Sequence, residues 1–131
     1  MVDSNVWFDI FTQDPTWYDW SRAAMKKVAD AGPVAINPLI FAEISTRFAT
    51  IEELDHLLAT QQVARLALPW EASFLAGKCF VQYRRRGGSR RSPLPDFFIG
   101  AHAAVSGLTL LTRDATRYRS YFPKLHLIAP K

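Results

Sequence analysis

The sequence predicts an α/β fold: a central, mostly parallel sheet of four to five strands flanked by helices, within one domain over 1–131. Three observations predict it. Short, continuously apolar runs alternate with longer stretches of helical spacing. Such runs suit strands covered on both faces. Acidic residues stand where the chain leaves a strand or enters a helix, the positions at which parallel sheets build their sites.

Met1-Val2 reads as the stub of a first strand, shorter than usual. Val6 to Thr12 is apolar and helical. Asp14-Pro15 marks a helix start, with a capping acid and then proline at the first helical position. Trp17, Trp20, Ser21, Ala24 and Val28 continue that helix towards Gly32. Val34-Ala35-Ile36 is a short buried strand. Asn37-Pro38 opens the next helix, whose apolar face is Ile40, Phe41, Ile44 and Phe48. Thr50 to Glu53 has the capping-box pattern, and Leu54, Leu57 and Leu58 carry the helix it starts. Val63 to Leu68 is a strand. Trp70 to Arg86 has helical spacing at Phe74, Leu75, Cys79 and Tyr83. Asp96 to Ser106 is a helix ended by Gly107. Leu108 to Leu111 is a buried strand, and Leu125 to Ile128 a last edge strand before Pro130.

The chain has 131 residues, of which 49% are hydrophobic, enough for a core. Its formal charge of +4 suits a polyanionic partner. A single cysteine, Cys79, excludes an intrachain disulfide and a cysteine-based metal site, and fits a reducing compartment. The N-terminus lacks a signal-peptide pattern. The most apolar region, Phe97 to Leu111, is broken by Gly100, His102, Ser106 and Gly107, so it is not a membrane span. A cytoplasmic protein is expected.

Four acids stand beside apolar runs: Asp3, Glu43, Asp96 and Asp114. Unpaired carboxylates are costly to bury there. If the fold gathers them, they cannot all stay ionised without a cation between them. Magnesium or manganese is the natural ion for such oxygen donors. Each acid taken alone reads more readily as a helix cap or a solvated position than as part of a site. Asp96 in a first helical turn is an example, and Glu43 has Arg47 four residues on as a helical ion-pair partner. The ordered set of four favours a site.

The stretches Val2-Asp3-Ser4-Asn5-Val6, Pro38 to Ile44, Leu94 to Ala103 and Leu111-Thr112-Arg113-Asp114 resemble, in order, the PIN-domain nucleases, and within them the VapC-like toxins of toxin–antitoxin pairs. The resemblance implies a magnesium- or manganese-dependent endoribonuclease with an antitoxin partner and a homodimer. It implies an acidic quartet of Asp3, Glu43, Asp96 and Asp114, with Ser4, Asn5 and Thr112 lining or buttressing it. Gly100 stands where the family often has alanine, a difference expected to be harmless.

The basic run Arg84, Arg85, Arg86, Arg90 and Arg91 precedes Asp96. Arginine holds phosphate bidentately, so RNA contact near the site mouth is one reading, an acidic partner segment a second and a solvated connection a third. Trp7, Trp17, Trp20 and Trp70 are expected in the core more than on bases. His56, His102 and His126 have no metal-ligand spacing and read as structural or surface residues. Two rivals to a nuclease remain: a non-catalytic binding module of the same fold, and a receiver-like phosphoacceptor. The second would need paired acids near the first strand and a lysine near the last.

Overall fold

The segment Met1–Asp3 runs through the middle of the sheet. Its Val2 bridges Leu111 in parallel register. Asp3 N donates to Leu111 O at 2.9 Å, Leu111 N to Met1 O at 2.9 Å, and Val2 N to Ala35 O at 3.0 Å. The segment thereby joins two parallel pairs: β1 (Ala35–Ile36) with β2 (Ala64–Arg65), and β3 (Leu110–Leu111) with β4 (Leu127–Ile128). The order across the sheet is β2, β1, Met1–Asp3, β3, β4. This computed structural model describes residues 1–88 and 93–131.

The α/β class holds, but the strands are shorter than the sequence suggests. Among the described residues each named strand has two residues. Val63 to Leu68 contributes only Ala64–Arg65, and Leu108 to Leu111 only its second half. Apolarity marks burial, whereas a strand also needs a neighbour's backbone in register, and here the neighbours are short.

Helices α1 (Ser4–Phe11), α2 (Tyr18–Ala31), α3 (Pro38–Ser45), α4 (Ile51–Thr60), α5 (Trp70–Arg85), α6 (Leu94–Val105) and α7 (Thr116–Tyr121) surround the sheet. Asn37 Oδ1 accepts from Ile40 N at 3.0 Å and caps α3, with Pro38 in its first turn. Thr50 caps α4 through Glu53 N. The reciprocal bond goes to Ala49 N, one residue before the capping-box position. Asp14 departs from expectation. Its carboxylate accepts from Thr16 N and Trp17 N, capping a turn, and the helix begins only at Tyr18.

In α5 the side facing the core is small: Ala72, Ala76 and Cys79 are buried. That lets α5 lie close against α6. Trp70 and Phe74 face outward at 88% and 69% exposure, so the expected stripe through Phe74 and the core placement of Trp70 are corrected. Trp7 is core, its indole N–H bonded to Val2 O at 3.2 Å. Helix α7 was not anticipated. It has six residues, only Tyr118 is buried, and one turn and a half leaves no readable periodicity.

A half-buried ion pair ties the corner between α1, α2 and the end of β3. Arg113 donates through Nε and Nη2 to Asp9 at 2.8 and 3.0 Å, and Ser21 Oγ donates to the same carboxylate at 2.7 Å. Asp9 is 2% exposed. No helix among the described residues is long and apolar enough to cross a membrane.

Candidate functional site

Asp3 leaves the central segment where α1 begins, so one residue ends a strand and caps a helix. Its Oδ1 accepts from Ser4 N at 2.8 Å. Its Oδ2 accepts from Thr112 Oγ1 and from Tyr118 Oη, both at 2.9 Å. Thr112 is itself held by Asn5 Nδ2 at 3.2 Å, while Asn5 Oδ1 accepts from Arg113 N at 3.1 Å. The expected lining residues Ser4, Asn5 and Thr112 thus form a buttress around a buried carboxylate.

Asp96 enters from the first turn of α6 and Asp114 from the loop after β3. Together with Asp3 they line a cleft of about 460 Å³, whose other walls include Ser4, Asn5, Tyr83, Arg117, Tyr118 and Tyr121. Glu43, from α3, is not in that lining, yet it is coupled to it. Burial pushes its pKa up, and the charges of Asp3 and Asp96 push it further, against a hydrogen bond from Ser4. Glu43 Oε1 is buried without a hydrogen-bond partner. The alternative reading of Glu43, an ion pair with Arg47, is not among the described pairs, and the Arg47 guanidinium lies 6.0 Å from the Phe8 ring instead.

Burial also raises the pKa of Asp3; the Tyr118 bond opposes that and the Asp96 charge reinforces it. Burial raises Asp96 too, countered by its bond to Arg117. Arg117 Nη1 donates to Asp96 Oδ2 at 2.8 Å. Tyr118 is pushed well above 10, first by burial and then by the Asp3 charge, so it stays a neutral donor.

The donor set fits a hard divalent ion in kind. It offers carboxylate oxygens from four separate places, one of them an orphaned buried atom. As the side chains stand, no three His, Cys, Asp or Glu among the described residues converge closely enough to hold one. Asp96 is drawn to Arg117 and Asp114 is solvent-exposed.

Of the basic run, Arg86 reaches the rim: its guanidinium lies 5.1 Å from the ring of Tyr121. Arg84 and Arg85 are exposed in the last turn of α5, outside the cleft lining. Arg90 and Arg91 lie outside the described residues. His102 is buried and its Nδ1 pairs with Asn37 Nδ2 at 3.2 Å, a structural role as expected. Arg117 and Tyr118 were missed, because they sit on the helix that carried no pattern.

A parallel sheet with carboxylates gathered past its carboxyl ends defines an α/β protein with an acidic cleft. The chain belongs to the PIN domain family, whose model matches residues 1–122. Its fold is similar to VapBC2 from Rickettsia felis, solved with a DNA fragment from its promoter (TM-score 0.73, 19% identity, covering 100% of this chain and 98% of that one). It is also similar to VapBC-1 from nontypeable Haemophilus influenzae (TM-score 0.72, 17% identity, 98% and 96%). A third similar structure is FitAcB from Neisseria gonorrhoeae (TM-score 0.66, 15% identity, 97% and 94%). No curated protein matches the chain.

Proposed function

We propose that the chain, acting as one domain over 1–131, is a magnesium- or manganese-dependent endoribonuclease in the cytoplasm and the toxin of a toxin–antitoxin pair. The observation that carries this reading is the shared cleft of Asp3, Asp96 and Asp114, with the partnerless Glu43 Oε1 coupled to it. The VapBC and toxin–antitoxin neighbours, solved as complexes, support a cognate antitoxin partner. A homodimer belongs to the same reading. The family match sets aside the receiver-like alternative.

Asp3, Glu43, Asp96 and Asp114 would hold the ion. When bound, it supplies Lewis acidity and an activated water for attack on a phosphodiester. The protein's share is orientation. Ser4 N, Thr112 and Tyr118 fix both oxygens of Asp3, while Oδ1, with a single donor, keeps a free acceptor direction. Asn5 holds Thr112 in place and ties the loop carrying Asp114 to α1. Arg86 on Tyr121 gives the rim a cationic, aromatic edge suited to a nucleotide backbone.

The rival is a non-catalytic binding module of the same fold, favoured by the Arg117 pair on Asp96. The test compares wild type with Asp96→Asn on single-stranded RNA in magnesium or manganese, alongside growth on expression. Metal-dependent cleavage and growth arrest in the wild type, both lost in the folded variant, are expected. Equal cleavage by both proteins removes Asp96 from the site. A wild type that binds metal yet leaves RNA intact supports the rival.

A further inference from the structure

We propose that Arg117 is the cleft's own exchangeable cation: it neutralises Asp96 until a divalent ion takes that carboxylate, and then turns to the phosphate of the bound substrate. This rests on the nuclease reading above.

Arg117 is the one cationic side chain among the described residues lining the cleft, where Asp3, Asp96 and Asp114 also stand. An acidic pocket repels a polyanion, so a phosphodiester needs positive charge beyond what the carboxylates consume. A guanidinium meets phosphate oxygens through two parallel N–H bonds, a geometry lysine lacks.

The grip on Asp96 is made to be released. It is a single contact, Nη1 to Oδ2 at 2.8 Å, with both side chains more than a third exposed. Such pairs are weak. The same fold shows what a permanent pair looks like: Arg113 holds the buried Asp9 through two nitrogens. The other donors of Arg117 remain available for a second partner.

The backbone under Arg117 does not need to move. The next residue, Tyr118, is 2% exposed and bonded to Asp3. Consecutive residues of α7 therefore reach two carboxylates of the set, one through a fixed ring and one through a long flexible stem. Only the stem has to swing.

The test uses the full chain as wild type, Arg117→Ala and Arg117→Lys. Manganese alone is titrated calorimetrically. Cleavage of a single-stranded RNA oligonucleotide is measured at saturating manganese. Binding of the same RNA is followed by anisotropy in calcium across a salt series. Removing the competing guanidinium should tighten manganese binding by Arg117→Ala about fivefold, the upper end for an exposed pair. Cleavage should fall about a hundredfold, and the log–log salt slope of RNA binding should flatten by about 0.7. Arg117→Lys should keep wild-type manganese affinity and recover only part of the cleavage. These opposite signs separate the proposal from a structural role, which would weaken metal and RNA together. Unchanged or weaker manganese binding by Arg117→Ala overturns the exchange. An unchanged salt slope overturns the phosphate contact. Should every protein bind manganese and RNA but cut nothing, the nuclease reading fails while both arms still judge Arg117.

Discussion

Tyr118 donates its phenolic hydrogen to Asp3 Oδ2 at 2.9 Å, joining residues 115 positions apart. The bond is buried at both ends. It places a neutral donor against a carboxylate that burial alone would drive towards protonation. Tyr118 thereby orients Asp3 and opposes the rise in its pKa without cancelling it.

Tyr118→Phe keeps the ring's packing and deletes only that donor. Thr112 remains on the same oxygen. Stability should fall by about 1–2 kcal/mol in chemical denaturation. Manganese affinity should fall by about tenfold, the usual effect of losing a group that orients a ligand. Calorimetry on the variant checks it, and an unchanged affinity would remove Tyr118 from the positioning of Asp3.

Gly100 bears on the same tyrosine. A Cβ built there would lie 2.4 Å from Phe122 Cε2 and 3.0 Å from Tyr118 Cδ1. Glycine fits this place, whereas an alanine would need these rings to shift. The bulk of Phe122 and Tyr118 occupies the place of the methyl group. Gly100→Ala should destabilise by about 1–3 kcal/mol through overpacking. It should also disturb the Tyr118–Asp3 bond. A melting temperature equal to wild type would show that the two rings yield freely.

The Asp9–Arg113 pair predicts a purely structural lesion. Arg113→Ala leaves Asp9 buried with only Ser21 for company. The loss should be on the order of 3 kcal/mol in urea unfolding. Arg113→Met with Asp9→Leu should recover much of it, because apolar replacement of both partners removes the stranded charge. Failure of the double variant to recover stability would point to strain at the corner rather than charge.

Much of this was legible beforehand because caps and acids are local signals. Asn37-Pro38 announced α3, and Asp3, Asp96 and Asp114 lie in one cleft as their places in the sequence suggested. Other features were not legible, for identifiable reasons. Asp14-Pro15 is as good a turn as a helix start, and only the chain's path to Tyr18 decides between them. The spacing of Phe74 fits either face of α5, and what sends it outward is that Ala72 and Ala76 let α6 come close. Arg117 and Tyr118 act through contacts 21 and 115 residues away, on a helix too short to carry a pattern.

Glu43 supplies a pH-dependent prediction. Its carboxyl has a pKa above the ordinary 4.5, chiefly from burial and then from the Asp3 charge, and its Oε1 has no partner. A raised folded-state pKa means that the folded chain holds this proton more tightly than the unfolded one. The resulting stability is therefore fully present below about 4.5 and is lost as pH rises through the raised value. Glu43→Gln is neutral at every pH and escapes that loss. In metal-free buffer the variant should melt above wild type at about pH 8. The gap should close as pH falls towards about 4, where the wild-type carboxyl is protonated. Comparing the two proteins cancels the titration of groups they share, including buried His102, whose lowered pKa works in the opposite direction. Manganese should reverse the order at about pH 8, because an ion bound by the folded wild type stabilises it by mass action and the glutamine supplies one charge fewer. Melting curves across the pH range, with and without manganese, measure all three effects. A glutamine variant that melts below wild type in metal-free buffer at high pH would mean that Glu43 is not repelled by its neighbours. The acidic set would then lack the mutual repulsion on which the metal reading depends.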